Sequence, residues 1–91
     1  MALGKEYPGA NPSIPEEIRL LSQLSNISAM SPDRSLTLEE ISIRTGTERD
    51  KVMESLLKLI RADYVRTCSL KGEMRYYITE NGIRKALSAL S

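Results

Sequence analysis

Apolar residues along the chain fall into blocks whose spacing passes from helical to strand-like and back. Ile14, Ile18, Leu21, Leu24 and Ile27 recur at intervals of four and three, the period of one helix face. Leu20 widens that stripe. Ser13, Pro15 and Glu16 mark its start as a cap, a first-turn proline and a capping-box acid. Ser31-Pro32-Asp33-Arg34-Ser35 is turn chemistry, so the helix should fade near Ser28. Thr37 and Glu40 repeat the capping-box spacing ahead of a short second helix expected to bury Leu38, Ile41 and Ile43. Gly46 can take the left-handed conformation that ends a helix, and Thr47 can cap the next one, with Asp50 three residues on. Over residues 48–62, Val52, Leu56, Leu59 and Ile60 share a face, with Met53 beside them. Asp50, Lys51, Glu54, Lys58 and Arg61 lie opposite, and Leu57 stands at the boundary.

The period then drops to two. Residues 65–69 are rich in β-formers, Lys71-Gly72 is a hairpin turn, and residues 74–78 return. Alternation puts Tyr76 and Ile78 on one face and Arg75 and Tyr77 on the other. Thr79 opens a last helix with Ile83, Ala86, Leu87 and Leu90 on one side. The expected fold is α+β and mostly helical: a three-helix core, a β-hairpin and a C-terminal helix. Residues 1–12, with Gly4, Pro8 and Gly9 and no apolar period, read as a flexible arm. Residues 13–91 read as the domain.

Composition narrows the function classes. Ninety-one residues make one domain, and at that size about two-thirds or less of the unfolded surface is buried. Leu20, Leu21, Leu24, Ile27, Ile83, Leu87 and Leu90 then look like more apolar surface than two terminal helices can cover, which sets the expectation of a homodimer. One cysteine forbids an intramolecular disulfide. No signal-peptide pattern and no apolar run near the roughly 20 residues of a membrane span is present, so the expected setting is cytoplasmic. Histidine is absent, and no nucleophile–base set, phosphate loop or metal-ligand spacing stands in its place. Neither an enzyme nor a cofactor is expected. Cys68 reads as a packing residue, since only nearby Arg66 favours a thiolate.

Net charge is +1, but it is unevenly spread: residues 61–91 carry +3 and residues 1–60 carry −2. The hairpin end is the cationic end. Three helices followed by a basic hairpin point to nucleic-acid binding. In that geometry the third helix enters a major groove and the hairpin reaches an adjacent groove or the backbone. The candidate contact residues are Arg49, Lys51, Glu54 and Lys58 on the helix, and Arg66, Lys71 and Arg75 on the hairpin. The bland alternatives are a Glu54–Lys58 surface pair and strand cations that merely block aggregation.

Three stretches carry a family resemblance. Leu38-Glu39-Glu40-Ile41 through Thr45-Gly46-Thr47 is similar to a helix-turn-helix opening. Val52 through Leu56-Leu57-Lys58-Leu59-Ile60 to Ala62-Asp63-Tyr64-Val65 resembles a helix leading straight into a wing. Arg75-Tyr76-Tyr77-Ile78-Thr79-Glu80-Asn81-Gly82 looks like a wing-to-helix phrase ending in Thr-x-x-Gly. Together they resemble the winged helix-turn-helix transcription regulators of the MarR and PadR types, over about 55 residues. The resemblance implies a DNA-binding transcriptional regulator, with double-stranded DNA as partner and two third helices set in successive major grooves. The same fold also serves as a protein-docking module within larger transcription, replication or sorting assemblies.

Overall fold

Thr37 and Glu40 do form a reciprocal capping box in the computed structural model, which describes residues 14–27 and 29–90. The Glu40 amide donates to Thr37 Oγ1 at 3.1 Å, and the Thr37 amide donates to Glu40 Oε1 at 2.9 Å. This box starts α2 (Leu38–Thr45), preceded by α1 (Glu16–Asn26) and a 3-10 turn (Pro32–Arg34). After it come α3 (Arg49–Arg61), β1 (Val65–Leu70), β2 (Glu73–Ile78) and α4 (Glu80–Leu90). The order is that of a winged helix-turn-helix. The Ser13 cap expected for α1 lies outside the described residues, as does Ser28. At Pro15, the cap residue, no side chain caps the helix, and Glu16 and Glu17 place negative charge against the exposed N–H groups.

The turn between α2 and α3 is built around Ser42. Its carbonyl accepts from the amides of Gly46 and Thr47, and its hydroxyl donates to the Thr47 carbonyl at 2.6 Å. Gly46 takes the left-handed φ of 67° expected of it. Thr47, however, does not cap α3. Its hydroxyl turns back to the Thr45 carbonyl, and the cap falls on Glu48, without a side-chain bond. The first intrahelical bond runs from the Val52 amide to the Glu48 carbonyl, which starts α3 one residue later than the Thr47 cap would.

Helix α3 ends in a Schellman motif: the Tyr64 amide donates to the Leu59 carbonyl and the Asp63 amide to the Ile60 carbonyl. Asp63 supplies the left-handed residue, at φ 63°, a conformation that a short polar side chain tolerates better than a bulky one. From there the chain enters an antiparallel hairpin pairing Val65 with Ile78 and Leu70 with Glu73. Leu36 adds one antiparallel bridge to the outside of β2, exchanging backbone bonds of 2.9 and 2.7 Å with Tyr76. Nothing in the sequence pattern announces that bridge.

Leu21, Leu24, Ile41, Val52, Leu56, Leu59, Val65 and Ile78 form the innermost core. Two expectations fail here. Ile43 is exposed, because the face of α2 that turns inward carries Ile41 alone as a fully buried residue. The apolar surface expected to drive dimerisation is largely covered within the chain. Leu20, Leu21 and Leu24 are buried, and Ile27 and Ile83 pack against the core. Helix α4 faces inward through Gly82 and Ala86 instead, which rotates Leu87 outward to 64% exposure. The Leu90 side chain lies outside the described residues. Gly82 has a strict reason to be glycine: a Cβ there would collide with the backbone carbonyl of Tyr64. Among the described residues no helix is long and apolar enough to cross a membrane, and no acidic, Cys or His group is arranged to hold a metal.

Candidate nucleic-acid interface

Helix geometry, at 100° per residue, divides the exposed side of α3 into three lines. Asp50, Glu54, Leu57 and Arg61 follow the outermost line, and all four are exposed. Lys51 and Lys58 share a line one step toward α1. Arg49 begins the line toward α2. The Glu54–Lys58 pair of the bland alternative is not formed, and Lys58 Nζ turns to Glu17 Oε1 of α1 at 3.9 Å. Arg49 donates to Glu39 of α2 at 3.0 Å, with both side chains more than half exposed. An exposed pair such as Arg49–Glu39 contributes about 0.2–1 kcal/mol, and the Lys58–Glu17 pair is long at 3.9 Å with Lys58 itself exposed, so both cations can turn to phosphate. Among the described residues, Lys51, Glu54 and Arg61 have no ion pair.

On the wing the three candidates separate. Lys71 sits in the turn at φ 52°, exposed, with no ion pair among the described residues. Arg66 is exposed and donates to Asp63 at 3.3 Å. Arg75, expected as a hairpin cation free to meet phosphate, is not at the exposed tip. Its side chain is only 19% exposed, and its guanidinium is committed inward. Nε donates to the Ser35 hydroxyl and carbonyl at 3.2 and 3.3 Å, and Nη2 donates to that carbonyl at 2.9 Å and to Glu40 Oε1 at 3.3 Å. Nη1 takes Glu73 at 2.9 Å. The cause lies in the register, since the Leu36–Tyr76 bridge draws Ser35 beside Arg75.

Ser35 is the buried hub of this cluster, at 2% exposure. Its hydroxyl donates to the Pro32 carbonyl at 2.6 Å and accepts from Arg75 and, at 3.5 Å, from the Cys68 thiol. Cys68 is thereby a packed partner of Ser35. Glu40 is held below its ordinary pKa, first by the backbone hydrogen bond from Thr37, then with help from the Arg75 charge. The wing is thus tied by charge to the capping box of α2. Sequence reading missed Ser35 and Glu40 as members of the site because both meet Arg75 across 35 or more residues of chain.

The wing and the helix-turn-helix also share a surface. Thr37, Leu38 and Glu39 of the α2 entrance, Arg49 at the start of α3, and Glu73 and Met74 of the wing line one open hollow of about 330 Å³.

Comparison with solved structures places this architecture among winged-helix proteins. TubR from Bacillus megaterium pBM400 superposes with a TM-score of 0.72 at 19% identity, over 87% of this chain and 89% of that one. A DNA-binding TubR fragment from Clostridium botulinum gives 0.69 at 24% identity, over 98% and 99%. A ZitR mutant from Lactococcus lactis gives 0.65 at 15% identity, over 97% of this chain and 57% of that one. No family model and no curated protein matches the sequence. At these identities the likeness establishes the fold.

Proposed function

We propose that the chain is a DNA-binding transcriptional regulator. In this reading α3 lies in a major groove and Lys71, with Arg66, meets phosphate from the wing. The observation that carries it is the hollow shared by Arg49 at the start of α3 and Met74 on the wing, with uncompensated Lys71 beyond it at the tip. That arrangement presents helix and hairpin to one ligand. The fold shared with a fragment described as DNA-binding supports the same reading. Arg49 and Lys58 reach phosphate by releasing their surface pairs. Lys51 and Glu54 face base edges, where a carboxylate accepts from the amino group of cytosine. Arg75 fixes the wing rather than touching DNA. We place the protein in the cytoplasm and as a homodimer, on the two-fold symmetry of duplex half-sites.

A second reading, a protein-docking winged helix, draws on exposed Leu57 and Ile43 and on the acidic pair Asp50 and Glu54. Amide chemical-shift mapping with a duplex separates the two. DNA binding predicts perturbations concentrated in residues 48–62 and 66–74. A spectrum unmoved by duplex DNA selects the docking reading.

A further inference from the structure

The outer end of the wing carries two apolar side chains that neither the core nor the Arg75 cluster uses. Leu70 ends β1 at 43% exposure, and Met74, second in β2, stands at 58%. The register sets Ser69 opposite Met74 and Leu70 opposite Glu73, so alternation sends Leu70 and Met74 to opposite faces of the ribbon. Between them lies a two-residue turn, Lys71 and Gly72, at φ 52° and 79°. That is the tightest hairpin closure, on a ribbon whose strands lie about 4.8 Å apart. Glu73 is held at 2.9 Å by Arg75, a guanidinium it shares with Glu40, whereas Lys71 has no ion pair among the described residues. The tip therefore offers apolar surface on both faces and one uncompensated cation.

We propose that this tip is an apolar wedge for duplex DNA: Leu70 and Met74 enter the minor groove beside the one α3 faces and bend the duplex, while Lys71 meets the phosphate rim. The inference rests on the DNA-binding reading above and adds an activity to it. Charge complementarity selects the occupant, because the tip's one free charge is positive and the groove rim is a row of phosphates. Leucine and methionine are among the side chains that pry base steps apart from the minor groove. A groove about 6 Å wide admits the ribbon end only where the step yields. Flexible pyrimidine–purine steps are therefore the favoured sites.

The test compares the parent with Leu70→Ser/Met74→Ser and with Leu70→Met/Met74→Leu. Each is titrated against one duplex over a range of salt, and the bend is read by energy transfer between labelled duplex ends. The wedge predicts that the serine variant binds about tenfold more weakly, since Leu and Met each stand to lose burial. Its salt slope stays that of the parent, because no phosphate contact is lost, and its duplex is straighter. The swapped variant keeps both affinity and bend. Should the double serine variant melt too low to use, Met74→Ser alone, at the more exposed position, carries the same comparison. A parent that binds duplex in a salt-sensitive way, with a serine variant that binds and bends identically, overturns the wedge and leaves the DNA reading standing. A parent that binds no duplex overturns both. Parent binding to phosphatidylserine–phosphatidylcholine vesicles that the serine variant loses, with duplex binding unchanged, assigns the tip to lipid and overturns the wedge.

Discussion

Arg75 grips Ser35 three times, through Nε to its hydroxyl and through Nε and Nη2 to its carbonyl, at 2.9–3.3 Å. The same guanidinium reaches Glu40 and Glu73. A planar fork with five donors can serve these acceptors together; an ammonium cannot. This side chain ties the wing to the entrance of α2, alongside the Leu36–Tyr76 backbone bridge.

Arg75→Ala should destabilise the fold by about 1.5–3 kcal/mol, the range for a lost charge-assisted bond to a part-buried acceptor. Arg75→Lys should recover only part of that. Denaturant unfolding measures both. In duplex titrations Arg75→Ala should weaken binding while leaving the salt slope unchanged. Lys71→Ala should lower the slope's magnitude by about 0.9, the loss of one phosphate contact. A slope reduced equally by both substitutions would return Arg75 to the contact surface.

Glu40 links stability to pH. Its folded pKa is depressed, mainly by the Thr37 amide bond and further by Arg75. Its contribution is therefore complete above the ordinary glutamate value of about 4.3 and is lost as pH falls through the lower folded value. Glu40→Gln removes the titrating group while keeping an oxygen for the Thr37 amide. Thermal melts from pH 6 downward should show a shallower acid limb in Glu40→Gln than in the parent.

Much of this fold was legible because its determinants are local. The Thr37–Glu40 box, Gly46, the Lys71–Gly72 turn and the alternation of Tyr76 and Ile78 each act within a few residues of themselves. The site was less legible for the opposite reason. Arg75 reads as a free hairpin cation until Leu36 pairs with Tyr76 and brings Ser35 alongside, and nothing near Arg75 in sequence reports that bridge. Lys58 likewise chooses Glu17 over Glu54 only once α1 is docked on α3. Leu20, Leu21 and Leu24 read as surplus apolar surface but are covered by the rest of their own chain, whereas Leu87 of α4 stays exposed.

Gly82→Ala tests how closely α4 is seated. Alanine favours an ordinary helix interior by about 1 kcal/mol over glycine. Here the added methyl meets the Tyr64 backbone and Ile78 Cγ1, and backbone yields less readily than a flexible side chain. Destabilisation by about 1–3 kcal/mol is expected, read as a lower midpoint in denaturant. A stabilised Gly82→Ala protein would mean that α4 sits farther from Tyr64 than the structure places it.

On α3, Glu54→Gln should alter base preference at one position by about 1–3 kcal/mol, the worth of one good base contact, while leaving non-specific affinity nearly unchanged. Selection from a random duplex library, run in parallel for parent and variant, shows whether one column of the recovered motif changes.

The central claim, that α3 and the wing together engage duplex DNA, is tested most directly by fluorescence anisotropy of a labelled duplex titrated with the full chain at several salt concentrations. The account predicts binding whose log affinity falls linearly with log salt. With Arg66 and Lys71 of the wing and Arg49 and Lys58 of α3 each meeting a phosphate, four contacts give a slope of about −3.6 per chain, at about 0.9 per contact. No binding at low salt, or an affinity indifferent to salt, would contradict it.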